Sequence, residues 1–440
     1  MKKVLHIMFI ALIWVLCLSL SVGILFAGPA ESGANEKLSD FPKLRTKDEQ
    51  INKEYLTQVS DWIGEHFLLR QELISLENWI SAKVFKTSGN PDVILGTDGW
   101  LYYSDTLDDY TDTNPMGERE LFAASRNLQL MNQYCGENGR GFLFVIAPNK
   151  NSVYGENMPD YGHTGEESNA QRLLERLDAC GVQTVDLFES FRGQVPALYF
   201  EHDSHWNTKG AALGADLILA GFGLESDYYQ GDFTEKTSHT GDLYTMLYPA
   251  FADPEQDYVY GGQLEYAFTT SATRPDAIVL NTQSSGQGSL LAYRDSFGNL
   301  LFPFLADTFA SARFSRAAAY DLTYEADYVL IELVERNLPQ LAMNMPVMPA
   351  PEVTVDLPEV SVGRVAVEVS QRKELLQIKG TLPEVDVDSP IYVVCQGVAY
   401  EAFCLDKTGF GLSVAAESKP EYVVCKLDGM LIAYEIEISE

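Results

Sequence analysis

The sequence is poor in basic residues, cysteine and histidine, and each shortage argues against a class of protein. In 440 residues, 31 lysines and arginines stand against 63 aspartates and glutamates. Such an acidic chain repels phosphate backbones, so we expect no nucleic-acid partner. The six cysteines include no C-x-x-C pair, which argues against a disulfide scaffold or a zinc module. No fixed-period repeat is present, so a solenoid or propeller is not expected.

The first 27 residues differ from the rest of the chain. Lys2 and Lys3 form a short basic start, and residues 4–27 are almost wholly apolar. That run is longer than the core of a usual signal peptide and long enough to cross a bilayer. The lysines favour an N-terminus inside the cell. We expect a signal anchor, or alternatively a signal peptide cleaved near residues 27–30, with the body of the chain outside the cytoplasm.

The middle of the chain alternates between predicted helices and strands. Helical spacing of apolar residues covers residues 55–86, 119–134 and 166–178, and a further helix is predicted to begin at Asn207. Apolar runs of strand length cover residues 141–147, 181–187, 277–280, 289–293 and 328–333. Continuous apolar strands that alternate with helices predict an α/β domain with a parallel sheet.

The texture changes near Pro346, where a proline-rich stretch begins. Beyond it, short alternating runs predict a small all-β domain that extends to the C-terminus. The predicted organisation is a signal segment over residues 1–27, a linker over 28–50, a catalytic domain over 51–345, a proline-rich linker over 346–360 and a β-rich accessory domain over 361–440.

Ser296 is the first candidate for chemistry. The strand at residues 289–293 is followed by a predicted helix from Phe297, so Ser296 lies on a strand-to-helix turn. Ligands bind at this edge of open α/β sheets, and the N–H groups at a helix start can receive an oxyanion. The simpler interpretation is that Asp295 or Ser296 caps the helix.

His205 and Asp203 are the second candidate. A serine hydroxyl needs an adjacent base, and few of the six histidines are suitable. In an extended or turn segment Asp203 and His205 point the same way, so the carboxylate can hold the imidazole while the ring takes a proton. A metal site made of His202, Asp203 and His205 is a weaker alternative, because consecutive residues of an extended segment point in opposite directions.

The predicted strand 141–147 supplies candidates for binding the oxyanion or the substrate. Asn149 and Lys150 follow it, at the same expected edge of the sheet as Ser296. Arg294, just before the serine turn, is a third candidate. We expect no cofactor, because Gly286-Gln287-Gly288 is too short for a dinucleotide-binding loop.

Several blocks, in order, resemble the DHHW family and the related alginate O-acetylation enzymes of the SGNH (GDSL-like) hydrolase superfamily, over roughly residues 50–345. Asp203-Ser204-His205-Trp206 resembles the motif that names the family, with Ser204 in place of its first histidine. Asp295-Ser296-Phe297 resembles its G-D-S-F block, with Arg294 in place of glycine. The other similar blocks are residues 61–70, 96–102, 148–154 and 335–338.

The resemblance implies a Ser296, His205 and Asp203 triad on an SGNH fold with circularly permuted motif order. It also implies transfer or hydrolysis of an acetyl ester on an exported carbohydrate. Acetyl donors such as acetyl-CoA are cytoplasmic, so transfer outside the membrane would need a multi-pass membrane partner to deliver the acyl group. The alternative is a non-catalytic surface protein that binds a glycan or a partner, which Arg294 and the appended β domain motivate. A metal-dependent hydrolase is the lesser alternative.

Overall fold

The computed structural model describes residues 2–27, 38–46, 49–165, 167–260, 264–358 and 361–439. Residues 28–37 and 47–48 of the predicted linker 28–50, and residues 359–360 of the proline-rich segment, lie outside the described residues. In the described ranges, no helix has both the length and the apolar character needed to cross a membrane.

The first part of the chain contributes helices and a small hairpin. The elements are α1 (Lys2–Ala27), α2 (Tyr55–His66), α3 (Arg70–Ile80), β1 (Val93–Leu95), β2 (Leu101–Tyr103), α4 (Leu107–Thr111) and α5 (Glu118–Glu137). A single π-helical turn, Ser81–Phe85, continues α3. Strands β1 and β2 pair antiparallel.

The central part supplies the main sheet and the helices that cover it. The elements are β3 (Gly141–Ala147), α6 (Lys150–Val153), α7 (Asn169–Ala179), β4 (Thr184–Val185), α8 (Leu187–Phe191), α9 (Thr208–Gly221), β5 (Thr234–His239), α10 (Asp242–Leu247), β6 (Glu255–Val259), β7 (Tyr266–Phe268), β8 (Val279–Ser284), β9 (Ser289–Tyr293), α11 (Gly298–Thr308), β10 (Ser311–Ser315) and β11 (Tyr328–Val334). Asn207 caps α9 as predicted, because its side chain accepts a hydrogen bond from the Gly210 N–H.

The sheet has the order β4-β3-β11-β9-β10-β8-β7. Its first five strands run parallel, and β8 and β7 join one edge antiparallel. The strand predicted at residues 277–280 is therefore shifted to Val279–Ser284 and is not part of the parallel set. Strand β10 was not predicted, because Ser311–Ser315 is short and partly polar. Parallel strands put their carboxyl ends at one edge, which brings the segments after β3, β9 and β11 together.

Two apolar cores cover the two faces of this sheet. Helices α9 and α11 contribute to one core, and α5 and α7 contribute to the other. Side chains of β3 and β11 are buried on both faces, as the apolar runs predicted. The predicted α/β fold with a parallel sheet flanked by helices is confirmed.

The predicted C-terminal all-β domain is also confirmed. It contains β12 (Glu352–Val353), β13 (Ser361–Arg372), β14 (Leu375–Thr381), β15 (Ile391–Cys395), β16 (Val398–Leu405), β17 (Gly409–Ala415), β18 (Pro420–Leu427) and β19 (Met430–Ile438). The sheet closes on itself, since β17 pairs with both β14 and β16. It packs on α5, where the Asn127 amide donates to the carbonyls of Leu341 and Cys404.

The proline-rich stretch is not the free linker that its composition predicted. Val347 exchanges backbone hydrogen bonds with Tyr320 and Leu322, and the Ala350 N–H donates to the carbonyl of Ser413. Val347 and Met348 are buried. Prolines spaced along this segment therefore do not prevent it from packing between the two domains, since its apolar residues fill the space between them.

Candidate active site

Ser296 lies on a turn that Asp295 clamps to the end of the neighbouring strand. The Asp295 carboxylate accepts hydrogen bonds from the Phe297 N–H at 2.9 Å, the Val334 N–H at 2.8 Å and the Asn337 amide at 2.9 Å. The capping interpretation is not what the structure has, because α11 begins after Phe297 without a side-chain cap. The Asp295 carboxylate instead fixes the turn before the helix. It leaves the half-buried Ser296 hydroxyl free to face another segment.

The segment that faces Ser296 is the loop between Tyr199 and Trp206, which form an isolated β-bridge. Trp206 is fully buried, and its indole N–H donates to the carbonyl of Phe297 at 3.0 Å. This bond ties the loop directly to the serine turn. The tryptophan therefore fixes the separation of the two segments and does not merely shield them.

Ser296, His205 and Asp203 form a continuous chain of hydrogen bonds. His205 Nε2 is 2.8 Å from Ser296 Oγ, and His205 Nδ1 is 2.7 Å from Asp203 Oδ1. Both distances are those of hydrogen bonds. The arrangement has the geometry in which a carboxylate orients an imidazole and the imidazole receives a serine proton.

The Asp203 carboxylate accepts four hydrogen bonds. Oδ1 accepts from the N–H and ring of His205, and Oδ2 accepts from His239 Nε2 at 2.9 Å and from the Asp242 N–H at 3.0 Å. Burial acts to raise the pKa of Asp203, but the bonds from the two histidines outweigh it and hold the pKa well below its usual range. The carboxylate is therefore charged at all physiological pH values.

Asp242 adds a second carboxylate beside the imidazole. Its Oδ2 lies 3.5 Å from His205 Nδ1. Burial acts to lower the pKa of His205, but the hydrogen bonds and charges of Asp203 and Asp242 raise it to about 10. Asp242 also accepts hydrogen bonds from the Ser204 N–H at 2.8 Å and hydroxyl at 2.6 Å. Ser204, which replaces a histidine of the family motif, thus holds Asp242 in place.

His239 and Asp242 were not found from the sequence. His239 lies at the end of the polar strand β5, and its ring stacks on Phe200 with centroids 3.8 Å apart. Both residues are more than 30 positions from Asp203 along the chain. A Gly-Asp pair at a helix start was the only local signal, and it is common at helix N-termini.

Lys150 does not have the role predicted for it. Its ammonium is buried and donates to the carbonyls of Phe200, Glu201 and Asp203, at 3.1, 3.0 and 2.7 Å. An ammonium has three N–H groups, so none is left for a substrate or an oxyanion. Burial lowers the pKa of Lys150 to about 8. Lys150 shapes the loop that carries Asp203.

Asn149 is also occupied by the protein. Its side-chain amide donates to Asp109 at 3.1 Å, and its oxygen accepts from the Arg336 guanidinium at 3.4 Å. Arg336 in turn lies over the Phe297 ring, with its central carbon 5.6 Å from the ring centroid. Among the hydrogen bonds of the described residues, the Asn149 side chain is linked to the site through Arg336, a half-buried cation that the sequence did not single out.

Arg294 points under the serine turn. Its guanidinium donates to Asn299 Oδ1 at 2.6 Å and to the carbonyls of Asp295 and Pro275. Gly298 leaves the space for it, because a Cβ at that position would overlap the Arg294 side chain. This corrects the prediction for Arg294, whose guanidinium binds the fold and not the substrate.

The metal alternative requires a different set of ligands from the predicted one. Asp203, His205 and Asp242 offer three ligand atoms within 4.8 Å of one another, whereas His202 is not in this group. Within the described residues these atoms already bond to each other and to nearby N–H groups. His205 also uses its second nitrogen toward Ser296. The contacts fit a hydrogen-bonded network better than a metal centre.

Comparison with known proteins shows which proteins the α/β domain is similar to. Residues 93–270 match the family described as the SGNH hydrolase-like domain of the acetyltransferase AlgX. The probable alginate O-acetylase AlgJ of Pseudomonas aeruginosa is 27% identical over 180 residues, which are 36% of this chain and 42% of AlgJ. The chain spans about half the length of the curated relatives it matches.

Two solved structures are similar in fold over about half of the chain. PatB1 of Bacillus cereus aligns with a TM-score of 0.45 and 20% identity, over 56% of this chain and 97% of PatB1. A DHHW family protein from Eubacterium siraeum aligns with a TM-score of 0.40 and 15% identity, over 56% of this chain and 95% of that protein. The resemblance predicted from the ordered motifs is confirmed: residues 93–270 are similar to the SGNH hydrolase-like domain of AlgX, and the chain is similar to the probable alginate O-acetylase AlgJ.

Proposed function

We propose that this chain is an exported, serine-dependent acetyltransferase or acetyl esterase that acts on a carbohydrate. The observation that carries the proposal is the line from Ser296 Oγ through His205 to Asp203, with bonds of 2.8 and 2.7 Å. The similarity to a family described as an acetyltransferase domain supports the acyl group, and a relative named as an alginate O-acetylase supports a carbohydrate acceptor.

The reaction proceeds in two steps. Neutral His205 takes the Ser296 proton as Oγ bonds to the acetyl carbonyl carbon, and the tetrahedral adduct expels the donor's oxygen, which leaves with the proton from His205. His205 then takes a proton from a sugar hydroxyl or a water as its oxygen attacks the acetyl-enzyme. The C–O bond to Ser296 breaks, and His205 returns the proton to Ser296 Oγ. Transfer and hydrolysis differ only in this second nucleophile.

Active-site substitutions test the nucleophile and its partners. Ser296→Ala should abolish cleavage of a small activated acetyl ester, and Asp203→Asn should lower kcat on the order of 10⁴-fold, as in serine proteases. Intact-mass spectrometry of the wild type during turnover should show one added acetyl group that is absent from Ser296→Ala. Full activity in Ser296→Ala would end this proposal.

An acceptor experiment separates transfer from hydrolysis. Oligosaccharides added to the acetyl-enzyme should appear in acetylated form if transfer is the reaction, whereas free acetate alone indicates an esterase. A glycan-binding protein without activity would bind the oligosaccharides equally well with Ser296→Ala and form no adduct. Arg294, which motivated this alternative, has its guanidinium bonded to Asn299 and to the carbonyl of Pro275.

The proposed location rests on the sequence. Lys2, Lys3 and the apolar run over residues 4–27 favour export, with the body anchored at, or released from, the outer face of the membrane. If transfer is the reaction, a multi-pass membrane protein would supply the acetyl group from the cytoplasm. Protease added to intact spheroplasts should digest the body, and a protected body would place the site in the cytoplasm.

A further inference from the structure

Helix α3 packs on the protein with its polar face. Ser75 and Asn78 are buried, at 0% and 5% exposure. The Ser75 hydroxyl accepts from the Ala250 N–H at 3.0 Å, and the Asn78 amide donates to the carbonyl of Leu247 at 2.7 Å. An amphipathic helix of a water-exposed surface has the opposite arrangement, with its apolar face inside.

The face of α3 that points outward is apolar. Its residues recur every three or four positions through α3 and the π-helical turn, and each is between 40% and 64% exposed: Leu69, Leu73, Leu76, Ile80 and Val84. Trp79 and Phe85 flank this stripe at 46% and 68% exposure. A contiguous apolar stripe of this kind marks a surface that another apolar phase covers.

The negative charge of the chain is concentrated outside the segment that contains α3, which is compatible with a lipid surface next to that segment. Residues 38–90, which include α3, carry seven basic and eight acidic residues, whereas residues 91–440 carry 21 and 53. An anionic lipid surface repels the second part and not the first. Arg70, Lys83 and Lys86 lie beside the stripe together with the exposed Glu72 and Glu77, so its border is mixed in charge and close to neutral.

The position of α1 agrees with the same orientation. Its Gly23 lies against the corner between α2 and α3, where an added Cβ would be 2.8 Å from the Leu68 side chain. The apolar side chains of α1 that the structure describes are largely exposed. We propose that the stripe Leu69, Leu73, Leu76, Ile80 and Val84, with Trp79 and Phe85, lies on the surface of a lipid bilayer. The exposed α1 and the stripe would then share one apolar phase.

Contact quenching of tryptophan fluorescence tests this docking in the full chain. The protein is reconstituted into phosphatidylcholine and phosphatidylglycerol bilayers with or without brominated acyl chains. The Trp79 signal, taken as the difference between the wild type and Trp79→Phe, should be quenched by the brominated lipid. The Trp62 signal, taken as the difference between the wild type and Trp62→Phe, should not be quenched, because the Trp62 ring is half-buried and stacks on His66 with centroids 4.4 Å apart.

A charge variant and a matched control complete the test. Leu76→Glu with Ile80→Glu should remove the quenching of Trp79, whereas Val195→Glu with Ile278→Glu, which alters exposed apolar residues elsewhere, should leave it. Unaltered circular dichroism and melting temperature show that each variant folds. An unquenched Trp79 in the wild type overturns the proposal. A dimer in sedimentation that Leu76→Glu dissociates also overturns it and assigns the stripe to a second copy.

Discussion

Replacing Asp242 with asparagine removes one charge beside His205 and keeps the shape of the side chain. Asp242 Oδ2 lies 3.5 Å from His205 Nδ1, on the side of the ring that Asp203 also contacts. Because the pKa of His205 is raised to about 10, most of the imidazole is charged at neutral pH, and only the small neutral fraction can take a proton from Ser296. The loss of a neighbouring anion should make the neutral, catalytically competent ring more abundant.

The magnitude follows from Coulomb's law. At the 3.5 Å that separates Asp242 Oδ2 from His205 Nδ1, two unit charges attract by roughly 5 kcal/mol at an effective dielectric constant of about 20, and by about 1 kcal/mol in water. The Asp242 side chain is 36% exposed, so solvent screening places the effect toward the lower value. We expect the pKa of His205 to fall by about one to two units, equivalent to about 1.4–2.8 kcal/mol.

The assay is the pH dependence of kcat/KM for an activated acetyl ester from about pH 6 to about pH 11, a range that brackets the raised pKa of His205. The acid limb of Asp242→Asn should move to lower pH by about one to two units, and kcat/KM at neutral pH should rise. The rise in kcat/KM should be smaller than the increase in the neutral fraction of His205, since an imidazole with a lower pKa removes the serine proton less effectively. An acid limb that stays in place or moves to higher pH would refute the assignment of His205 as the base under the control of Asp242.

Three further predictions address the surroundings of the site. Lys150→Met should lower the free energy of unfolding in urea by about 2–4 kcal/mol, because three carbonyls lose their donor. Substitution of an exposed lysine, Lys407→Met, is the control. A Lys150→Met variant as stable as the wild type would contradict the structural role of Lys150. His239→Phe should keep the stacking on Phe200 but remove the hydrogen bond to Asp203, and so lower kcat about 10- to 100-fold with KM unchanged. His239→Gln should restore part of the lost kcat. EDTA should leave activity intact, and loss that zinc reverses would favour the metal alternative.

The sequence located the segments that meet at the site but not the contacts each side chain makes there. Ser296 and His205 were found because each lies in a short local pattern next to a strand or a capped helix. Lys150 was placed correctly at the edge of the sheet and given the wrong partner, because a local pattern does not show which carbonyls a long side chain reaches. The buried position of Lys150 depends on the loop 200–203, about 50 residues away.

Local pattern by itself determined the α/β class, the parallel core strands, the cap at Asn207 and the separate all-β domain. Periodicity and capping act over a few residues, so they are visible along the chain. Only the tertiary structure decided that β8 runs antiparallel, that Arg294 turns beneath the serine, that His239 and Asp242 surround Asp203, and that α3 buries Ser75 and exposes Leu76. These features arise from contacts between residues distant in sequence, whose formation depends on the packing of the whole domain.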